Sequence, residues 1–258
     1  MLLRTPAFAS WLDSVREVQI DLAYKLLLIR HGVTAHNLEY RYTGWGDPSL
    51  IDLGHEQARL MAGHVASHYR IDRLYASPLR RAWQTVEPLS KATGLAAQAR
   101  PELREMFFGD VEGMTAAEFQ ARFPEVYAAA RNLGNLDFAW PNGEHRGGFF
   151  ERVKRAVDGL MMPPEGTLAI VTHGGVVSGY LSQVVGGSPR TWLQYAVSNC
   201  SVTELDVEDG RVELMRLDDT SFLAELTKLA AETAPVSGNG LEDVVPRKLA
   251  RATDAKRH

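Results

Sequence analysis

Residues 26–37 read Leu26-Leu27-Leu28-Ile29-Arg30-His31-Gly32-Val33-Thr34-Ala35-His36-Asn37. A short apolar run stops at Arg-His-Gly and is followed by a polar segment able to open a helix. Such a run, closed by glycine, suits a buried strand feeding a tight turn. In open α/β sheets, ligands lie beyond the carboxyl ends of strands, where helix N-termini present their N–H groups. Arg30 and His31 fall at that location. Arginine carries a fixed cation on a planar fork that matches phosphate oxygens. Histidine can act as nucleophile or proton carrier near neutral pH. The triplet alone would also fit an ordinary strand-to-helix turn, so the rest of the chain has to decide.

The theme returns at Thr167-Leu168-Ala169-Ile170-Val171-Thr172-His173-Gly174-Gly175. Again an apolar strand ends in His-Gly, and a helix is predicted over 176–185. Between the two lies Arg73-Leu74-Tyr75-Ala76, a second strand, which turns through Ser77-Pro78-Leu79-Arg80-Arg81 into a helix over 82–92. Pro78 suits a first helical turn, where its missing N–H is not needed. A short edge strand is predicted near 96–99. Asp209-Gly210 marks a hairpin between strands Ser201–Val207 and Val212–Leu217. Strands alternating with helices indicate a three-layer α/β/α fold around a mostly parallel central sheet, with a helical and loop insertion around 110–147.

Around this frame lie segments of other character. Tyr40-Arg41-Tyr42-Thr43-Gly44-Trp45-Gly46-Asp47-Pro48 is a loop by its turn chemistry. Residues 115–131 have helical character interrupted by Pro124, and 148–161 form another helix. His64 and His68 share a helix face at a spacing that can bind metal, but no HExxH pattern accompanies them. Cys200 reads as a small buried residue in a strand. Residues 1–22 form an N-terminal extension in which Trp11, Leu12, Val15 and Val18 recur near helical spacing. Residues 23–225 form the main domain, and 226–258 a polar C-terminal tail expected to be mobile.

Composition bounds the function. The chain has 258 residues, 45% hydrophobic and 23% charged, with a formal net charge of -4. That balance does not point to nucleic-acid binding, so an anionic substrate would be met by locally placed Arg and His. Cys200 is the only cysteine, which fits a reducing, cytoplasmic compartment. No apolar run approaches membrane-spanning length, and the first residues lack a continuous apolar core, so no signal peptide is expected.

At this point the sequence resembles the histidine phosphatase superfamily, whose members include phosphoglycerate mutases. The resemblance covers about residues 24–222. It rests on Arg30-His31-Gly32 with Thr34 and Asn37; on Arg41, Thr43, Gly44 and Asp47 with Gly54 and Gln57-Ala58; and on Ser77-Pro78-Leu79 with Arg81-Ala82 and Gln84-Thr85. It continues through Leu103, Glu105, Gly109 and Glu112-Gly113, then Gly143-Glu144, and ends at His173-Gly174-Gly175. It implies a phosphomonoester hydrolase that needs no metal or other cofactor, acting on a small-molecule phosphomonoester. His31 would accept the phosphoryl group, with its other ring nitrogen held protonated by an acceptor such as a backbone carbonyl. Arg30, Arg81 and His173 would hold the phosphoryl oxygens, with Asn37, Thr43, Gly44 and Gly174 completing the phosphate site. Glu105 would be general acid and base.

Two other readings stay open: a phosphoglycerate mutase, and a catalytically inactive relative that binds phospho-ligands or serves as a scaffold. After the matched glutamate, mutases generally carry Arg and Tyr where this chain has Met106 and Phe108, which favours hydrolysis. Val111 and His145 stand where phosphatase-type members usually have Trp and Ser, so both mark the region that sets substrate choice. His145 and Arg146 either contact a second anionic group or are solvated loop residues. Neither a nucleic acid nor a membrane is expected as partner, while a homo-oligomer is compatible with the sequence.

Overall fold

Strand β1 (Tyr24–Arg30) is covered on both faces. Leu26 and Leu28 enter one core and Leu27 and Ile29 the other, all at 1% exposure or less. Alternate residues of a strand point to opposite faces, so an uninterrupted apolar run is what a doubly covered strand requires. The computed structural model describes residues 24–162, 165–208 and 210–226. The amphipathic helix expected around Trp11–Val18 and the polar tail beyond residue 226 lie outside the described residues.

The sheet has six strands in the order β3-β2-β4-β1-β5-β6. The strands after β1 are β2 (Arg73–Ala76), β3 (Gln98–Ala99), β4 (Thr167–Thr172), β5 (Val202–Glu208) and β6 (Arg211–Asp219). Strands β1, β2, β3 and β4 run parallel, whereas β5 and β6 form an antiparallel hairpin on the β1 side. The hairpin closes at Gly210, whose φ of +75° suits a glycine.

A short helix α1 (Ala35–Leu38) follows β1, and then come α2 (Asp52–His68) and α3 (Arg80–Thr93). Helices α2 and α3 cover the Leu27/Ile29 face through Met61, Val65, Val86 and Leu89. The insertion contributes α4 (Ala116–Arg122) and α5 (Pro124–Ala130), separated where Pro124 starts a new helix at its first turn. Helices α6 (Arg146–Leu160) and α7 (Gly174–Val184) cover the Leu26/Leu28 face. Phe119, Trp140, Phe149 and Phe150 are core residues at 7% exposure or less.

This topology places the two His-Gly turns side by side. In the β1–β4 register Arg30 faces Thr172, so His31 and His173 leave neighbouring strand ends. The chain goes from β1 to helices on one face of the sheet and from β4 to a helix on the other. A crevice opens where such crossovers diverge.

Cys200 departs from expectation. It is buried but precedes β5 in a turn, with φ +58°, and its N–H donates to the His31 carbonyl (3.0 Å). It lies two residues before the strand because its backbone closes the loop behind His31. Burial pushes its thiol pKa up, so it is a poor nucleophile.

Candidate active site

The local fold holds His31 in one tautomer. Its Nδ1 lies 2.7 Å from the Gly32 carbonyl, an acceptor only, so Nδ1 carries the proton. Nε2 is then the lone-pair nitrogen, and it accepts from Arg81 Nε–H at 3.2 Å. The His31 carbonyl is tied by Cys200 N–H and by Asn199 Nδ2 at 3.1 Å. Gly32 N–H donates to Thr85 Oγ1 (3.0 Å), whose hydroxyl in turn donates to the Arg81 carbonyl. Nucleophile candidate and arginine are thus braced through one threonine.

His173 stands opposite. The two rings meet edge to face with centroids 5.2 Å apart. His173 Nε2 is 2.8 Å from Ser77 Oγ, while its Nδ1 is buried with no protein partner. Arg30 Nε is in the same condition, although Arg30 Nη1 donates to the Val197 carbonyl at 2.6 Å. Buried polar nitrogens without partners cost free energy unless a ligand meets them, and an oxyanion would satisfy both.

Glu105 completes the group. Its Oε1 accepts from Met106 N–H and its Oε2 from Gly175 N–H, each at 2.9 Å. The second bond comes from the first turn of α7, where free N–H groups gather. A side chain at Gly175 would collide with the Glu105 carboxylate, so the close approach requires glycine there. Gly174 likewise lies against Arg30 Nε. The carbonyl of Glu105 accepts from Trp45 Nε1 (2.9 Å) and Arg152 Nη2 (3.2 Å).

His31, His173, Arg30, Arg81 and Glu105, drawn from four separate stretches of chain, therefore lie together at one place. The expected phosphate-site residues divide. Asn37 uses Oδ1 to accept from Thr34 N–H and Asn199 Nδ2, closing the α1 capping box, which leaves its Nδ2 as donor. Thr43 and Gly44 turn their carbonyls to Arg81 Nη2 at 3.2 and 2.8 Å, so they orient the arginine. Arg146 is neither solvated nor in the cleft. It is 2% exposed and clamps the carbonyls of Ala130, Asn132 and Asn135 while lying over Phe138, whereas His145 is exposed at the start of α6. Asn199, Thr85, Arg152 and Glu112 enter the arrangement without having been singled out for a role. Their signal was weak because each acts on backbone groups far away in sequence.

The electrostatics follow from burial among cations. Desolvation first, then Arg81 and Arg30, hold His31 well below the ordinary imidazole range. His173 is depressed by burial, Arg81, His31 and Arg30. Burial also brings Arg81 down to about 10, leaving it charged at neutral pH. Both imidazoles are then neutral at pH 7, as a nitrogen nucleophile must be.

A consequence for stability can be signed. The unfolded imidazoles take up protons as pH falls below about 6.5, while the native ones resist. Stability contributed above the unfolded pKa is therefore lost as pH falls toward the depressed native values. Urea unfolding should show a lower midpoint at pH 5.5 than at 7.5. A midpoint that stays level or rises would contradict the burial of two neutral imidazoles.

Among the described residues no group of three or more His, Cys, Asp or Glu is placed to hold a metal ion, and no helix is long and apolar enough to cross a membrane.

Residues 26–220 match the family model of the histidine phosphatase superfamily, branch 1. A bifunctional protein of Mycobacterium tuberculosis is 35% identical over 202 residues, which are 77% of this chain and 55% of that protein. The chain thus spans about half the length of that relative. Among solved structures, the alpha-ribazole phosphatase from Shigella flexneri superposes with a TM-score of 0.70 at 28% identity, over 76% of this chain and 96% of the other. The mycobacterial glucosyl-3-phosphoglycerate phosphatase complexed with VO3 gives 0.68 at 28% identity, over 76% and 99%.

Proposed function

We propose that this chain, which belongs to the histidine phosphatase superfamily, hydrolyses small phosphomonoesters through a phosphohistidine on His31. The observation that carries the reading is the poise of that side chain. Nδ1–H is committed to a carbonyl, Nε2 is unprotonated, and the neighbouring Arg30 Nε and His173 Nδ1 are buried without a protein partner. On this reading residues 23–225 form the catalytic unit.

In the first step, His31 Nε2 attacks phosphorus in line, the P–O bond to the alcohol breaks, and protonated Glu105 gives its proton to the departing oxygen. The bond from Arg81 Nε–H passes from His31 Nε2 to a phosphoryl oxygen as the P–N bond forms. Arg30, Arg81 and His173 Nδ1–H meet the equatorial oxygens, where charge is spread in the transition state. In the second step, water attacks phosphorus, the P–N bond breaks, and the Glu105 carboxylate takes the water's proton. Inorganic phosphate leaves and the acid is restored. Three fixed positive or donor groups supply the charge a metal would otherwise bring, so metal independence belongs to the proposal. Of the aromatics around the loop, Trp45 and Phe107 lie outside the buried core, with rings 4.9 Å apart and Arg104 over the indole. They flank Glu105, and so the leaving group.

Release of inorganic phosphate from a panel of phosphomonoesters, run with and without EDTA, tests this reading. Hydrolysis unaffected by EDTA is expected. Conversion of 3-phosphoglycerate into 2-phosphoglycerate without phosphate release would make the chain a mutase instead. Binding of phospho-ligands without either reaction would leave the scaffold reading.

A further inference from the structure

The carboxylate of Glu112 is the hub of a set of bonds that the chemistry above does not use. Its Oε1 accepts from Trp45 N–H (2.6 Å) and Phe108 N–H (3.2 Å), and its Oε2 from Gly46 N–H (2.6 Å). Three backbone donors converge on one half-buried carboxylate. The segment carrying it is pinned to the same loop, since Gly113 N–H donates to the Tyr42 carbonyl and Tyr42 N–H to the Met114 carbonyl. A side chain at Gly44 would collide with Glu112 Oε1 and the Met106 carbonyl, so the glycine admits the carboxylate against the loop backbone.

The other side of that loop holds Arg81. Nη2 donates to the carbonyls of Thr43 and Gly44, and Nη1 to that of Gly46 at 2.8 Å. The Gly44 carbonyl and the Trp45 N–H belong to one planar peptide unit. A continuous chain therefore runs from the Glu112 carboxylate, through that peptide, to the guanidinium of Arg81, and from Arg81 Nε to His31. Hydrogen bonds in series polarise one another, and the anion at one end favours the cation at the other. Two of the three carbonyls that aim Arg81 belong to residues directly bonded to, or adjacent to, the N–H groups that Glu112 fixes.

We infer that Glu112 is a positioning residue for the phosphoryl site, holding the 43–46 loop so that its carbonyls fix the guanidinium of Arg81 against His31 and the incoming phosphoryl oxygens. The inference rests on the phosphohistidine reading for what Arg81 does, but not for how it is held. Glu112 touches neither substrate nor His31. Its influence passes entirely through the peptide units of the loop.

Glu112→Gln discriminates. Glutamine is nearly isosteric but offers one acceptor oxygen, and its NH₂ faces an N–H that the carboxylate had accepted. The loop must then shift or leave a donor unpaired. Two quantities read the result: the affinity of inorganic phosphate by calorimetry, and the pH titration of the His31 imidazole by NMR. They would be measured on wild type, Glu112→Gln, Arg81→Lys and the double variant, with thermal midpoints recorded for all four. Glu112→Gln is expected to weaken phosphate about 10-fold, the worth of one ionic hydrogen bond, and to raise the His31 pKa as the nearby cation loosens. In the Arg81→Lys background, lysine cannot bridge the three carbonyls, so Glu112→Gln should add little to either readout. A purely structural carboxylate would lower the thermal midpoint equally in both backgrounds and leave the His31 titration in place. The inference is overturned if Glu112→Gln leaves both readouts unchanged, or if its effects add in full to those of Arg81→Lys. A wild-type chain that proved unable to hydrolyse any phosphomonoester would sink the functional reading alone, since the His31 titration needs no turnover.

Discussion

Replacing His31 with alanine should reduce phosphoryl transfer by about 10⁴–10⁶ in kcat, the scale on which loss of a covalent nucleophile is felt. No neighbouring group is placed to take over. His173 has its Nε2 engaged with Ser77 and, in the proposed mechanism, uses its Nδ1 as a donor to the phosphoryl oxygens. The Cys200 thiol is buried in a turn behind the histidine, with its pKa raised. Arg81 would lose one acceptor but keep its three carbonyls, so the variant should fold and still bind inorganic phosphate. Rapid quenching with ³²P-labelled substrate gives the direct reading. Acid-labile label appears on the wild-type chain and is absent from His31→Ala. Label that persisted in the variant would place the nucleophile elsewhere, and equal turnover by both would dismiss the covalent mechanism.

The second large effect belongs to Glu105, and its signature is a pattern across substrates. A general acid contributes about 10²–10⁴ to rate, but only where the departing oxygen is too basic to leave as an anion. Glu105→Gln should therefore cost about that factor with alkyl phosphates and far less with p-nitrophenyl phosphate. A plot of log kcat/KM against leaving-group pKa should steepen in the variant. Glutamine also keeps only one acceptor for the N–H groups of Met106 and Gly175. Disruption of α7's first turn would lower the rate with every leaving group alike. A uniform fall would thus assign Glu105 to scaffolding rather than to proton transfer.

Part of this arrangement is legible in the amino-acid sequence. The run Leu26–Ile29 is apolar at every position because both faces of its strand are covered, and that property is local enough for a one-dimensional pattern to carry. The boundaries of β2, the break at Pro124 and the hairpin at Gly210 were legible for the same reason, since proline and glycine impose their backbone constraints where they stand. The candidates His31, Arg30, Arg81, Glu105 and His173 were legible as motif residues. For Arg30, His31 and His173 the place at a strand end adds to this, because titratable or cationic side chains have few structural reasons to be there.

Other parts were not. Arg146 stands two residues beyond the Gly143-Glu144 motif in a polar stretch of sequence, and its context resembles that of a ligand-binding cation. Only the surrounding chain shows that it is consumed by the carbonyls of Ala130, Asn132 and Asn135. Thr43 and Gly44 match a phosphate-site pattern, but their hold on Arg81 comes through carbonyl oxygens, which every residue possesses and no side-chain pattern marks. Asn199 reaches the His31 carbonyl across a separation of 168 residues, beyond any local periodicity.

The sequence by itself determined the layered α/β frame, the two His-Gly turns and the set of groups with chemistry to offer, because backbone propensity, burial pattern and side-chain type are written residue by residue. The tertiary structure alone decided which nitrogen of His31 keeps its lone pair, which cations are free for a ligand and which carboxylate holds the loop that aims Arg81. Those outcomes depend on distances of about 3 Å between main-chain groups remote in the chain, and hydrogen bonding at that range is set by packing.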